Sequence, residues 1–523
     1  MSRIRRLLLG SLISLMLLFG GILIWSMVFF DPNDYREGIA ERIEEETGLT
    51  FTLEGPLRLD FRFHPGVGLF ADLALEDAYL RKIVGLPGSQ NARIRELTLS
   101  LPVVQLFRFV RGERFEGSGR FSVTDLDLVP ILAGFDFDGQ PADRLDFRAM
   151  TVQGRFQSGL MFFSITDLAV AGSSTEVSGD LRFADKDQDT EIEFALLSPS
   201  LNLDEMVSEQ SRGPLDAFEW LSLSPLIATG LRARGVLQIG TFQSGGVLVR
   251  NLKIPINSEG GAVVASPVTA DLYGGTMRID TVTQVVGREL NFMTRQTFSQ
   301  VDMGQIIWDM GLTRMLRGKA NLEAIVAFSG AEYLERVRSA RGVVTLEAET
   351  GQIKGVDLAS ALGQLTGNGS LRGGNWLGEN AYTALENVTA TLTLENSKLA
   401  NQDLAFRAGG FEVAGEGNLG LESEQLDYRV SLALDRPELF SQLPSPFNSA
   451  GLALPLRVTG RWDNPEIMID MPVLIQMQLQ RAMGIESNLA PPSPDTHAEA
   501  LAEALETELS GRLNQLSAVE VAQ

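Results

Sequence analysis

The pattern that most constrains the fold of this chain is an apolar residue at every second position. Leu97, Leu99 and Leu101, for example, alternate with Thr98 and Ser100. Successive side chains of a β-strand point to opposite sides of the sheet, so such a strand has one apolar and one wet face. Strands of this kind are typical of antiparallel sheets. The sequence therefore predicts a mainly β protein.

The same alternation returns in later stretches, at 388–394, 426–434 and 454–458. Strand, turn and strand follow one another without a strict period, which favours a long antiparallel β-meander over a propeller or a motif-defined solenoid. The sequence predicts few helices. They are a short one from Asn33 to Gly48, one over Asp302 to Met310, one over Tyr333 to Ser339, and one over Val473 to Met483.

Two Gly-Gly pairs predict hairpin turns, and each turn fixes a register. A turn at Gly274-Gly275 gives these pairs: Tyr273 with Thr276, Leu272 with Met277, Asp271 with Arg278, and Ala270 with Ile279. A turn at Gly409-Gly410 gives these: Phe406 with Val413, Arg407 with Glu412, and Ala408 with Phe411. In both hairpins apolar pairs share one face and opposite charges share the other. A slip of one residue would destroy that agreement.

The N-terminus carries an uncharged apolar run of 24 residues, Leu7 to Phe30, preceded by Arg3, Arg5 and Arg6. A helix of this length reaches about 36 Å, enough to cross a hydrocarbon core of about 30 Å. The arginines predict a cytoplasmic segment at 1–6 and place the rest of the chain beyond the membrane. A cleaved signal peptide is the alternative, but its apolar region is shorter and ends in a small-residue cleavage site.

Composition argues against several classes of function. The chain has 523 residues and a net charge of −23, with 67 acidic against 44 basic residues, which disfavours nucleic-acid binding. It has no cysteine, hence no disulfide and no thiolate site, and its two histidines are His64 and His497. No P-loop or dinucleotide fingerprint is found. We therefore expect no enzyme activity, no catalytic residue, no cofactor and no metal site.

The C-terminal segment differs in character from the strands. Pro491, Pro492 and Pro494 indicate a linker, and the residues from His497 to about Leu516 form an amphipathic, acidic pattern with a leucine at every fourth position. Its acidic face disfavours membrane-surface binding. A loosely held tail, a helix for a partner and a self-association helix all remain open.

In several segments the chain resembles the AsmA family of Gram-negative inner-membrane proteins, which is related to the TamB and YhdP groups. The segments occur in order, behind one apolar run, and cover about residues 1 to 475. They are 31–59, Phe63 to Ala78, Leu272 to Thr276, Gly351 to Ala359, Leu394 to Phe406, and Leu454 to Asp470. The tail after Pro491 does not belong to this pattern.

The resemblance implies a curved, groove-like (taco-shaped) β-sheet, similar to that of bridge-like lipid-transfer proteins. Its apolar face would hold acyl chains while phospholipids pass towards the outer membrane. A sandwich of two sheets that bury each other's apolar faces fits the alternation equally well. The expected organisation is an anchor at 7–30, a periplasmic β-groove at 31–475 with parts at 31–300 and 301–475, and a helical, acidic tail at 476–523.

Candidate groove residues are the apolar members of the alternating stretches and the two hairpins, and each has ordinary core packing as an equally plausible role. They are Leu97, Leu99, Leu101, Ala270, Leu272, Met277, Ile279, Val388, Leu392, Leu394, Phe406, Val413, Tyr428, Val430, Leu432, Leu456 and Val458. Phospholipids and the inner membrane are the expected partners. The alternative function is a periplasmic scaffold or assembly factor that recruits outer-membrane proteins by strand addition.

Overall fold

The computed structural model describes most of the chain in segments. These are residues 32–38, 40–41, 49–65, 68–83, 92–110, 116–127, 149–172, 176–186, 189–202, 204, 232–259, 261–286, 289–309, 316–330, 333–360, 377–434, 453–461, 464–483 and 496–518. The apolar run at 7–30 and the prolines at 491–494 lie outside these segments. Within them, no helix combines the length and the apolar character needed to cross a membrane.

The chain is mainly β and divides into two compact units, Met1–Ser173 and Ser174–Gln523. The strands of the first unit are β1 Leu49–Leu53, β2 Leu57–His64, β3 Gly68–Ile83, β4 Ala92–Pro102, β5 Gly117–Leu126, β6 Met150–Ser158 and β7 Phe162–Ala171. Both β1 and β2 pair with the long β3, and the strands from β3 to β7 then pair antiparallel in chain order. Helix α1, Val103–Val110, follows β4.

The second unit contains a single sheet of fifteen strands among the residues described. The first eight are β8 Glu176–Lys186, β9 Asp189–Asn202, β10 Arg232–Ser244, β11 Val247–Glu259, β12 Ala262–Leu272, β13 Gly275–Val286, β14 Glu289–Asp302 and β15 Leu316–Gly330. The other seven are β16 Arg341–Val356, β17 Leu377–Glu395, β18 Lys398–Ala408, β19 Phe411–Gly420, β20 Gln425–Leu434, β21 Leu454–Arg461 and β22 Asn464–Ile469. The unit is thus not a sandwich of two sheets.

The strands of this sheet follow chain order, and one pair departs from the predicted antiparallel meander. Strands β9 and β10 run parallel, with Gly235 opposite Phe194. Parallel neighbours cannot be joined by a tight hairpin. The long connection at 203–231 therefore replaces the short turn that the meander prediction assumed.

The helices of the second unit lie close to where the sequence predicted them. They are α2 Met303–Asp309, α3 Tyr333–Ser339, α4 Met471–Ala482 and α5 Thr496–Ala518. Asp302 caps α2, since its Oδ1 accepts the Gln305 N–H at 3.1 Å. Near the N-terminus, Pro32–Tyr35 is a 3-10 turn, and the Asn33 side chain accepts the Leu57 N–H at 2.9 Å. The predicted end of that first helix, at Gly48, lies outside the described residues.

One of the two predicted hairpins is confirmed and the other has a different turn. Around Gly409-Gly410, Phe406 pairs with Val413 and Arg407 with Glu412, as predicted. At the other hairpin the turn residues are Tyr273 and Gly274, with φ of 43° and 77°, and Leu272 pairs with Gly275. Both positive φ values fit a type I′ turn. The register is therefore displaced by two residues, which leaves each side chain on its predicted face.

Cross-strand registers define two faces of the second unit's sheet, because residues directly opposite each other lie on one side. We call the side that carries Leu272, Leu392 and Leu432 the apolar face. The other side, which carries Arg278, Arg407 and Arg429, is the polar face.

Candidate functional site

Strands β18 to β21 align the predicted groove residues in rows across the apolar face. One row runs Phe406, Val413, Leu432 and Leu454. In the next row Gly415, Val430 and Leu456 are opposite one another, and in the third Gly417, Tyr428 and Val458 are opposite one another. Seven candidates from three separate sequence stretches therefore share one surface.

These strands leave the apolar face partly exposed. Of the candidates on β17 to β21, Val413 is buried, at 4% exposure. The others are only partly buried: Val388, Leu392, Leu394, Phe406, Tyr428, Val430, Leu432, Leu456 and Val458. An apolar surface that stays partly accessible across neighbouring strands is a feature of a binding site for an apolar ligand.

The polar face of the same strands carries exposed ion pairs. Arg407 Nε lies 3.7 Å from Glu412 Oε1, and Arg457 Nε lies 3.2 Å from Asp427 Oδ1. All four side chains are at least 42% exposed, so each pair contributes only about 0–1 kcal/mol. The contrast between the two faces is therefore one of chemistry, apolar against charged, rather than of strong ion pairing.

Tyr428 covers the glycines of β19 on the apolar face. A Cβ built on Gly415 would lie 2.7 Å from Tyr428 Cε1, and one built on Gly417 would lie 2.5 Å from Tyr428 Cδ2. Contacts this short are excluded, so only glycine leaves room for the ring at these positions. The ring lies across β19 and closes the gap that the missing side chains would leave.

The Tyr428 hydroxyl ends in a polar cluster on β17 and β18. It donates a hydrogen bond to Oδ1 of Asn401, which is buried at 3% exposure. The Asn401 amide donates to Asp403 Oδ1 and to Thr391 O, both at 2.9 Å. Burial, followed by the nearby charges of Asp403 and Glu416, raises the pKa of Tyr428 above its usual value. The hydrogen bond to Asn401 and the close contact with Gly415 and Gly417 hold the ring across β19, where it forms part of the apolar face.

On strands β12 and β13 the predicted groove residues of the apolar face are buried. Ala270, Leu272, Met277 and Ile279 are only 2–7% exposed. They belong to a core with Leu252, Phe292 and Val301, and Met303 and Ile306 of α2 pack against it. In this part of the sheet the protein's own side chains fill the apolar face, so these four candidates have the role of core residues.

The pattern of apolar and polar residues inverts locally on β13 and β14. Thr281, Thr283, Thr294 and Gln296 lie on the apolar face and are buried at 2–3% exposure. Their apolar neighbours in sequence, such as Val282 and Met293, lie on the polar face instead. Thr281 meets its hydrogen-bonding need locally, since its hydroxyl donates to Met293 O at 3.2 Å.

Helix α5 covers this inverted patch on the polar face. Its Ala498, Leu505 and Leu509 are 0–1% exposed. They pack on a patch of Val282, Met293, Ile325, Ala327 and Val343 from β13 to β16. The tail is therefore a packed helix of the second unit rather than a loosely held segment.

Charged contacts add to the docking of α5. Arg295 pairs with Glu506 and, at 3.1 Å, with the buried Asp280. Arg341 Nη2 lies 2.9 Å from Glu508 Oε2. Two acidic residues of α5 thus contact basic residues of the polar face.

The candidates of the first unit lie on β4. Leu97 and Leu99 are partly buried and Leu101 is buried at 3% exposure. Leu97 packs beside a cluster of Leu57, Leu75 and Ile94. Leu97, Leu99 and Leu101 lie opposite Leu75, Leu73 and Ala71 of β3, so the three candidates share one side of the sheet.

The two histidines contact an aromatic ring and a carboxylate. The His64 ring lies edge-on to Phe70 with centroids 5.4 Å apart, and His497 Nε2 lies 2.8 Å from Glu395 Oε2. Within the segments that the structure describes, no group of three or more histidine or acidic side chains could hold a metal ion.

Sequence reasoning missed two features, one on the apolar face and one on helix α4. The fixed position of Tyr428 has a weak signal, namely two glycines, Gly415 and Gly417, at alternate positions of one strand. The apolar residues on the exposed side of α4 have a clearer signal in their four-residue spacing.

In comparisons with known proteins, no family model, no curated protein and no solved structure matches this chain.

Proposed function

We propose that this chain is an inner-membrane-anchored periplasmic protein that binds phospholipid acyl chains on the apolar face and helps to move lipids towards the outer membrane. The observation that carries the proposal is the partly exposed apolar surface of β17 to β21. The uncharged run at 7–30 supports the anchor, and the resemblance to the AsmA family supports the direction of transport.

The chemistry of the surface suits acyl chains. Removing a methylene group from water is favourable by about 0.8 kcal/mol, and the gain depends little on direction. Rows such as Phe406, Leu432 and Leu454 offer aliphatic and aromatic contacts with no charge between them. An acyl chain held in this way can slide along the apolar face without breaking a directional bond.

A photo-crosslinking experiment in cells tests the proposal. A photoreactive residue at Phe406 or Leu456 should attach to phospholipid, because these positions lie partly exposed on the apolar face. The matched controls are Arg407 and Arg457, one residue along the same strands on the polar face. Lipid adducts are identified by mass spectrometry. Equal labelling of both faces, or polypeptide adducts in place of lipid, would contradict the proposal, and the latter would favour the scaffold function.

A charge substitution provides a second, independent test. We expect Val430→Glu to lower the phospholipid that copurifies with the full chain, because the carboxylate would lie within the apolar face. The neighbouring Ser431→Glu lies on the polar face, opposite Ala414 and Pro455, and should leave bound lipid unchanged. Circular dichroism of both variants shows whether the fold is retained.

A further inference from the structure

Helix α4 follows the last strand of the sheet and has two apolar sides. Asp470 caps it, since its Oδ1 accepts the Val473 N–H at 3.3 Å and its backbone oxygen accepts the Leu474 N–H at 2.9 Å. Leu474 and Met477 are buried at 4% and 7% exposure, and Met477 packs with Ala453. This inner side accounts for the docking of the helix.

The outer side of α4 is also apolar, and it is exposed. Met471, Ile475, Leu479 and Met483 are 48%, 50%, 59% and 67% exposed. They recur at every fourth residue, so they lie in one line along the helix. The Met483 N–H still bonds to Leu479 O at 3.1 Å, which extends the line by one residue beyond α4. We call these four residues the exposed stripe.

The chain buries a comparable stripe elsewhere. In α5, Leu505 and Leu509 are 1% and 0% exposed because the polar face of the sheet covers them. The exposed stripe of α4 has no such cover among the described residues. Four large apolar side chains in line, each about half exposed, mark a contact surface.

Charge narrows the class of partner. The whole chain has a net charge of −23, yet residues 471 to 485 contain one arginine and no acidic residue. The flanking polar residues of α4 are glutamines, such as Gln476 and Gln478. A phosphate-bearing surface would repel most of this protein, but it would not repel this segment.

Size and residue type favour a lipid surface over a protein. A stable protein interface buries about 800 Å² on each partner. Even aromatic side chains bury only about 150–250 Å² each, so four half-exposed aliphatic ones fall well short. The exposed stripe also lacks the Trp, Tyr and Arg that dominate protein interfaces. An interfacial helix needs only one apolar line to enter the boundary between headgroups and acyl chains.

We infer that α4 is a membrane-contact helix, whose exposed stripe inserts into the surface of a phospholipid bilayer. The contact is apolar rather than electrostatic, because the segment carries almost no charge. It stands apart from the proposed function, since it uses the outer side of α4 and not the apolar face of the sheet.

A fluorescence experiment on the full chain tests this inference. The chain has no cysteine, so Leu479→Cys can be labelled with an environment-sensitive dye at one site. The labelled protein, held in lipid nanodiscs, is mixed with phosphatidylcholine vesicles whose acyl chains are brominated. We expect a blue shift and quenching by the vesicles that high salt does not reverse. The control label is Leu334→Cys on α3, which is 52% exposed and should not respond.

A pair of variants makes the outcome specific. With the dye at Leu479→Cys, adding Ile475→Gln should raise the vesicle concentration needed for half-quenching about tenfold, because one aliphatic side chain no longer enters the bilayer. Gln476→Ala, next in sequence and exposed, should leave it unchanged. Absent quenching, equal quenching at Leu334→Cys, or a blue shift that depends on protein concentration without vesicles would overturn the inference. The last result would indicate a second copy of the chain.

Discussion

At the residue scale, the hydroxyl of Tyr428 has a defined energetic role. It donates to Asn401, whose Oδ1 also accepts the Leu404 N–H at 3.3 Å. We expect Tyr428→Phe to lower the free energy of unfolding by about 1 kcal/mol, the usual net value of one such bond. Urea unfolding measures this change. Tyr382→Phe, at a side chain that is 57% exposed, is the matched control and should have no effect.

The same hydroxyl predicts how stability depends on pH. The pKa of Tyr428 is raised in the folded protein, chiefly by burial, whereas a tyrosine of the unfolded chain has a pKa of about 10. The stabilising contribution is therefore fully present below pH ~10 and is lost as the pH rises above it. We expect the urea midpoint to fall less between pH 8 and pH 11 for Tyr428→Phe than for the natural chain. An equal fall in both would show that Tyr428 does not contribute.

At the scale of one element, α5 has a measurable contribution to the stability of the second unit. Leu509 is fully buried against the patch on the polar face. We expect Leu509→Ala to cost about 2–5 kcal/mol, the usual range for a buried leucine. Glu503→Ala on the exposed side of the same helix is the control. If the two variants unfold at the same urea concentration, α5 does not stabilise the sheet.

The elements also show which features were predictable from local sequence. Helix α3 has its predicted bounds, Tyr333–Ser339, and the turn at Gly409-Gly410 sets the register of Phe406 with Val413 as predicted. Both depend on residues that are close in sequence. The other turn was predicted at Gly274-Gly275 and lies one residue earlier, at Tyr273-Gly274. Both glycines are required by the structure, but for different reasons. Gly274 supplies a positive φ, and Gly275 leaves room for Ser299 O, 2.3 Å from a Cβ built there.

At the scale of the whole molecule, the predicted site could be derived only in part. Alternation assigns Leu272 and Leu392 to the apolar face equally well, because the face of a strand residue is a local property. Alternation does not predict that Leu272 is buried, at 3% exposure, while Leu392 is partly exposed. That difference comes from packing among separate strands, such as the contact of the Leu272 core with Val301.

Long-range docking was hidden from the sequence for the same reason. Arg295 and Glu506 are 211 residues apart, and no local pattern links them. The inverted stretch at Val282 and Thr283 marks the place where α5 covers the polar face, and its sequence alone does not predict that contact. The parallel pair β9 and β10 likewise depends on a distant return of the chain.

The position of α5 has a practical consequence for anyone who trims this protein. A version that ends at about residue 490 keeps every strand described above but lacks α5, so it exposes Met293, Ile325 and Val343 on the polar face of the sheet. Such a fragment would bind detergents, dyes and fatty acids through an apolar patch that α5 covers in the full chain. Ligand binding measured on a shortened protein would then reflect this patch on the polar face and not the apolar face.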